Sequence, residues 1–141
     1  MQIRHTEIIN VPADQVWSTL SEITKWPEWT PTVKKVHGLD ETTVGVGSRF
    51  KLYQPKLLPA KWSITIWEPG VGFEWVSKVP GVVTKAGHQL KSTDSGVELQ
   101  LVIEFSGLLG DFVGRIAGKL TKEYLSLEAT GLKRCCEGAD S

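Results

Sequence analysis

One histidine in this chain is placed to do chemistry. His88 stands in "KAGHQLKS", where strand alternation sets it beside Leu90 and opposite Gln89 and Lys91. An imidazole on an otherwise apolar face could orient a ligand hydroxyl or carbonyl, or act as a general base near neutral pH. The same placement also suits a hydrogen-bonded core histidine. His5 and His37 show no HxH or HxxxH spacing, so no metal site is expected. Glu74, Glu98 and Glu104 fall on polar strand faces, which leaves no carboxylate pair on the apolar side. Neither a Ser-His-Asp order, a G-x-S-x-G elbow, a phosphate-binding loop nor a dinucleotide fingerprint occurs. No cofactor is therefore expected. The adjacent Cys135 and Cys136 point about 100° apart on a helix and do not pair with each other, so they read as reduced thiols of a cytoplasmic protein.

The second chemical resource is aromatic. Two of the six tryptophans flank a turn in "WPEW", residues 26–29. An indole carries a large apolar face and one N–H donor, so it suits a place where a cavity wall meets solvent. Trp29 is expected to line such a cavity, whereas Trp26 serves equally well as packing. Trp62 and Trp75 sit on strands whose like-facing neighbours are apolar.

Composition removes several classes of function. Sixteen basic and sixteen acidic side chains cancel, and no basic run exists, which disfavours nucleic-acid binding. "MQIRHTEIIN" lacks the apolar core of a secretory signal, and no apolar run approaches a bilayer's thickness, so no integral membrane association is expected.

The elements that must position these residues follow from hydrophobic period. Residues 2–10 read as a strand. "NVPADQVWSTL" switches to helical spacing through Val16, Trp17, Leu20 and Ile23, until Pro27 stops it. From Thr32 to Phe105 the pattern is strand, broken by turns such as "PGVG" and "TDSG", which predicts an antiparallel meander. Val97, Leu99, Leu101, Ile103 and Phe105 share one face; Trp62, Ile64 and Ile66 share another, and Phe73 pairs with Trp75. A helix of about 27 residues then runs from Leu109, its apolar stripe holding Phe112, Val113, Ile116, Leu120, Tyr124 and Leu127. Phe112, Ile116 and Leu120 are expected to face the sheet and roof a cavity. Gly110, Gly114 and Gly118 recur beside that stripe, which predicts close backbone approach to a neighbour. With no linker or repeat, residues 1–141 are read as one domain.

This order resembles the helix-grip superfamily of START-like (SRPBCC) proteins, in particular its polyketide cyclase/dehydrase-like branch. The segments carrying the resemblance are "NVPADQVWSTLSEITKWPEW", "GVGSRF", "WSITIWEPGVGFEW", "GHQLKSTDSGVELQLVIEFSG" and "GRIAGKLTKEYLSLEATGLK". It implies an α+β fold in which a curved antiparallel sheet wraps a long C-terminal helix and encloses a deep cavity for apolar small molecules. The inward set Phe50, Leu52, Trp62, Ile64, Trp75, Leu90, Leu101 and Ile103 is almost wholly apolar, as binding cavities generally are. With Trp29, His88 and the three helix residues it forms the expected ligand-binding wall. Two functions remain open: a carrier or sensor of an apolar or amphipathic molecule, and a cyclase or dehydratase-like enzyme using His88 to move a proton. Ligand identity and oligomeric state are not encoded in any motif.

Overall fold

Pro12 opens the first helix without a side-chain cap, and Asp14 sits in its first turn, where the helix dipole favours a negative charge. In the computed structural model, which describes residues 1–138, strand β1 (Gln2–Ile9) leads into this helix, α1 (Ala13–Leu20). Val16 and Leu20 are fully buried on its inner side. A 3₁₀ segment, Ile23–Glu28, follows and contains Pro27. Its Trp26 donates its indole N–H to the Leu20 carbonyl at 2.9 Å, so the ring is buried with its one polar atom satisfied by the end of α1.

The meander comprises β2 (Lys35–Gly38), β3 (Arg49–Tyr53), β4 (Ala60–Glu68), β5 (Gly72–Val79), β6 (Val82–Thr93) and β7 (Gly96–Ser106). A seven-stranded antiparallel sheet results, in the order β1-β7-β6-β5-β4-β3-β2. The first strand closes beside the last, with Ile3 opposite Ile103 and Ile9 opposite Val97. Helix α2 (Gly110–Gly138) then crosses the inner face. Gly107 allows the turn between β7 and α2. It adopts φ 93°, and a Cβ there would lie 2.6 Å from the Gly81 carbonyl oxygen.

Two expectations are corrected. The register between β4 and β5 shifts between Ile64 and Ile66, making Thr65 an extra residue. A bulge reverses the faces beyond it. Ile66 is therefore exposed, while Trp67 turns inward and meets Trp17 edge-on at 4.9 Å. The second correction concerns α2. Phe112 and Ile116 do not roof the cavity; they are 61% and 69% exposed. The side of the helix that meets the sheet is built from Gly110, Gly114, Leu125, Ala129, Leu132 and Cys136. Its glycines permit the close approach expected of them. A Cβ on Gly114 would stand 2.4 Å from Met1 Sδ and one on Gly110 3.0 Å from the Phe105 backbone; on another side of the helix, a Cβ on Gly131 would stand 2.1 Å from the Trp29 carbonyl oxygen. Small residues thus choose the contact face, and the large apolar stripe is centred roughly 145° around the helix from it.

Candidate functional site: a cavity between sheet and helix

Beneath α2 lies a cavity of about 290 Å³. The sheet contributes Leu52, Trp62, Trp75, His88, Leu101 and Ile103 to its wall, all anticipated from strand parity. Leu120 on α2 lines it as well. Phe50, Ile64 and Leu90 are buried but stand behind the wall. Trp29 is half-buried outside the cavity and packs on Trp26 at 5.6 Å, and it is Trp26 that reaches the lining. On the helix side the wall is completed by Val113, Ala117, Thr121, Tyr124 and Glu128.

The polar centre of this wall is His88 with Glu128. The His88 ring lies flat on Phe73, centroids 4.2 Å apart and 10° between planes, with Trp26 at 5.5 Å and Trp75 at 5.9 Å. Its Nε2 stands 3.5 Å from Glu128 Oε1, and the two side chains are only 5% and 12% exposed. No hydrogen bond closes the pair, because Glu128 Oε1 has no hydrogen-bond partner and neither does His88 Nδ1. The indole Nε1 of Trp62 is likewise buried and unpartnered. Unsatisfied buried polar atoms are costly, on the order of 1–3 kcal/mol each, and native proteins rarely keep them without a use. Three of the five such atoms among the described residues belong to side chains that line this cavity; the other two, on His5 and Trp29, lie outside it.

Sequence reading missed Glu128. A signal existed: it lies three residues after Leu125 and four before Leu132, on the side of the helix those leucines bury. Centring the helix on its large apolar residues instead placed that side beside the stripe and hid the carboxylate.

One further contact spans the cavity. Tyr124 donates its hydroxyl to the carbonyl of Pro55 in the β3–β4 loop. Burial pushes the phenol above its ordinary 10.0, with Glu123 adding to the effect, so the donor is retained through neutral pH. A different hollow, of about 380 Å³, opens on the outer face of the sheet beside Arg4, Lys85 and Glu104. Several of its polar side chains are engaged with each other, as in Gln2 with Glu104 and Lys85 with Glu74. It is a surface groove lined mainly by charged and amide side chains, whereas Trp62 and Glu128, with their unpartnered atoms, line only the inner cavity, which is the better site. Among the described residues no group of three or more His, Cys, Asp or Glu converges to hold a metal.

A curved antiparallel sheet gripping a long C-terminal helix, with an apolar hollow between them, defines the helix-grip class. The chain belongs to the polyketide cyclase/dehydrase and lipid transport family, whose model matches residues 1–137. Its structure is similar to that of the Zhui aromatase/cyclase from Streptomyces sp. R1128, at 16% identity over 97% of this chain and 93% of that one, with a TM-score of 0.79. Norcoclaurine synthase from Thalictrum flavum, solved with dopamine and hydroxybenzaldehyde, is 15% identical over 100% of this chain and 88% of its own, TM-score 0.78. The Thermus thermophilus protein TTHA0849 aligns over 100% of both chains at 14% identity and TM-score 0.78. No curated protein matches the chain in sequence.

Proposed function

We propose that this protein binds a compact, largely apolar molecule carrying a polar end, and acts as its carrier or sensor. The observation that carries this reading is the cavity with its buried, unpartnered Trp62 Nε1, His88 Nδ1 and Glu128 Oε1. Its volume decides the size of the ligand. About 290 Å³ corresponds to roughly ten waters and lies at the lower limit of small-molecule sites. That accommodates a small ring system or a short acyl chain and excludes a two-chain lipid. The aromatic wall gives the apolar part its affinity at about 25 cal/mol per Å² buried. Trp62 can only donate, and the Glu128 carboxyl offers an acceptor oxygen. A ligand bearing both an acceptor and a hydroxyl fits them.

The second reading, a cyclase or dehydratase-like enzyme, gains from the His88–Glu128 geometry. A carboxylate facing Nε2 favours the proton on that nitrogen, leaves Nδ1 as the free base, and stabilises the imidazolium formed when it takes a proton from a carbon next to a ligand carbonyl. Titration of flavonoid-type polyphenols, quinones and fatty acids, followed by tryptophan emission, tests the binding. Saturable quenching or a spectral shift with at least one class is expected, weakened in Trp62→Phe. Mass spectrometry of the incubated mixtures separates the two readings. An unchanged ligand supports the carrier. Turnover that His88→Gln abolishes, while binding persists, supports the enzyme. A panel without any response overturns both.

A further inference from the structure

The loops at one end of the sheet carry apolar side chains that cover nothing. The β3–β4 loop, the β5–β6 turn and the junction before α2 all lie at the end where the cavity opens. Leu58 is 87% exposed, Val79 61% and Leu108 99%, and Phe112 and Ile116 continue the patch along α2. Leu58 and Val79 also belong to the cavity wall. Leu109 joins the helix to the turn, because its side chain packs over Gly81. Apolar side chains therefore occur both in the cavity wall and on its rim.

Charge around this rim departs from the neutral balance of the whole chain. Segments 54–61 and 77–84 contain Lys56, Lys61 and Lys78 and no Asp or Glu. On the solvent side of α2, Arg115 and Lys119 add to them. None of these five cations pairs with a carboxylate among the described residues, whereas Asp111 at the start of α2 is taken up by the terminal amine at 3.6 Å.

We propose that the mouth of the cavity docks on an anionic lipid surface, with Leu58, Val79, Leu108 and Phe112 entering the interface and the surrounding Lys and Arg holding the headgroups. The shape favours a bilayer over a protein partner. The apolar groups project as separate tips from two loops, the junction before α2 and the first turn of that helix, around the cavity mouth, rather than as one flat patch of the kind a protein partner buries. Lysine stems can lie along acyl chains while their ammonium groups stay at the headgroups. Apolar tips plus uncompensated cations is the combination that interfacial binding needs. Docking in this orientation would let an apolar molecule pass between bilayer and cavity without crossing water. The interaction itself holds whichever ligand the cavity takes.

Co-sedimentation of the full chain with large vesicles tests the idea. Binding is expected to vesicles of phosphatidylcholine mixed with phosphatidylserine, to fall as salt rises, and to be weak on phosphatidylcholine alone. Leu58→Glu combined with Phe112→Glu should reduce partition by at least about tenfold, and Lys56→Ala by roughly fivefold, the equivalent of about 1 kcal/mol per cation. Val46→Glu, at an apolar residue 70% exposed in the β2–β3 loop at the other end of the sheet, should bind as wild type. Far-UV circular dichroism confirms that each variant is folded. No sedimentation with the anionic vesicles, or an equal loss in Val46→Glu, overturns the proposal. So does a wild-type dimer in light scattering that the Leu58/Phe112 double variant converts to monomer, because the face would then be covered by a second copy.

Discussion

Glu128 and His88 differ in what they do for the fold, although they face each other. The histidine is stacked on Phe73 and surrounded by aromatic rings, so its body contributes packing. The carboxylate has a buried oxygen without a hydrogen bond, and its presence costs stability. Glu128→Leu is therefore expected to raise the unfolding free energy by about 1–3 kcal/mol at about pH 8, where an ordinary imidazole is neutral, while weakening ligand binding. His88→Leu should do the opposite to stability, since it leaves the carboxylate alone and removes the stacked ring. Equal destabilisation by both substitutions, in denaturant titration, would show that Glu128 is structural. The cysteines give a second contrast. Cys135 is exposed and Cys136 buried, and burial pushes the Cys136 thiol up despite its hydrogen bond with Thr19. Iodoacetamide should modify Cys135 rapidly and Cys136 only at the rate of opening, as read by intact-mass measurement. Residue chemistry was legible in part. Strand parity found His88 because an inward position on a strand depends only on counting by twos. Glu128 was not found because the inward face of a helix depends on which neighbours let it come close.

That dependence belongs to the elements. In α2 the residues that look most like a packing face, Phe112 and Ile116, are exposed, and the glycines beside them are what the sheet touches. One of them, Gly118, and a glycine further along the helix, Gly131, should respond oppositely to alanine. A Cβ on Gly118 meets Ile3 Cδ1 at 3.8 Å, ordinary contact, so Gly118→Ala should stabilise by up to about 1 kcal/mol through helix propensity. On Gly131 it would press on the Trp29 backbone, and Gly131→Ala should cost about 1–3 kcal/mol. Thermal unfolding of the pair measures both. The "WPEW" turn is thus held from the far end of the chain, which no local pattern reveals. The bulge at Thr65 was hidden for a different reason. Ile66 and Trp67 are both apolar, so alternation reads equally well in either register. Further along α2, Glu137 accepts from the Asn10 amide at 2.9 Å and from Lys133 at 2.6 Å, tying the helix end to the turn before α1. The Lys133 contact first, then the amide, hold its carboxyl below the ordinary 4.5. A lowered folded value means stability that is present above 4.5 and lost as pH falls through and below it. Glu137→Gln should flatten that part of the acid limb of a stability–pH curve and leave the neutral region little changed.

Across the whole molecule, the order of elements was legible because the hydrophobic period changes only where the architecture changes, from strand to helix near Pro12 and again after Phe105. The closing of β1 onto β7 and the size of the hollow were not, since both arise from contacts between residues far apart in the chain. Tyr124 and Pro55 are such a contact, 69 residues apart, and it bridges the β3–β4 loop and α2 over the cavity. A single hydrogen bond at that place separates how tightly a molecule is held from how long it stays. The wall is expected to set the equilibrium, and the bridge to slow the passage of anything the size of a ring. Tyr124→Phe keeps the ring and removes the hydroxyl. In stopped-flow mixing it should speed arrival and departure by similar factors, roughly five- to tenfold for a bond of about 1–1.5 kcal/mol, with Kd nearly unchanged. Faster release with unaltered arrival would mean that the hydroxyl touches the ligand itself. Under the proposed carrier reading, such a bridge favours retention, and delivery would wait on an event at the rim that loosens one loop.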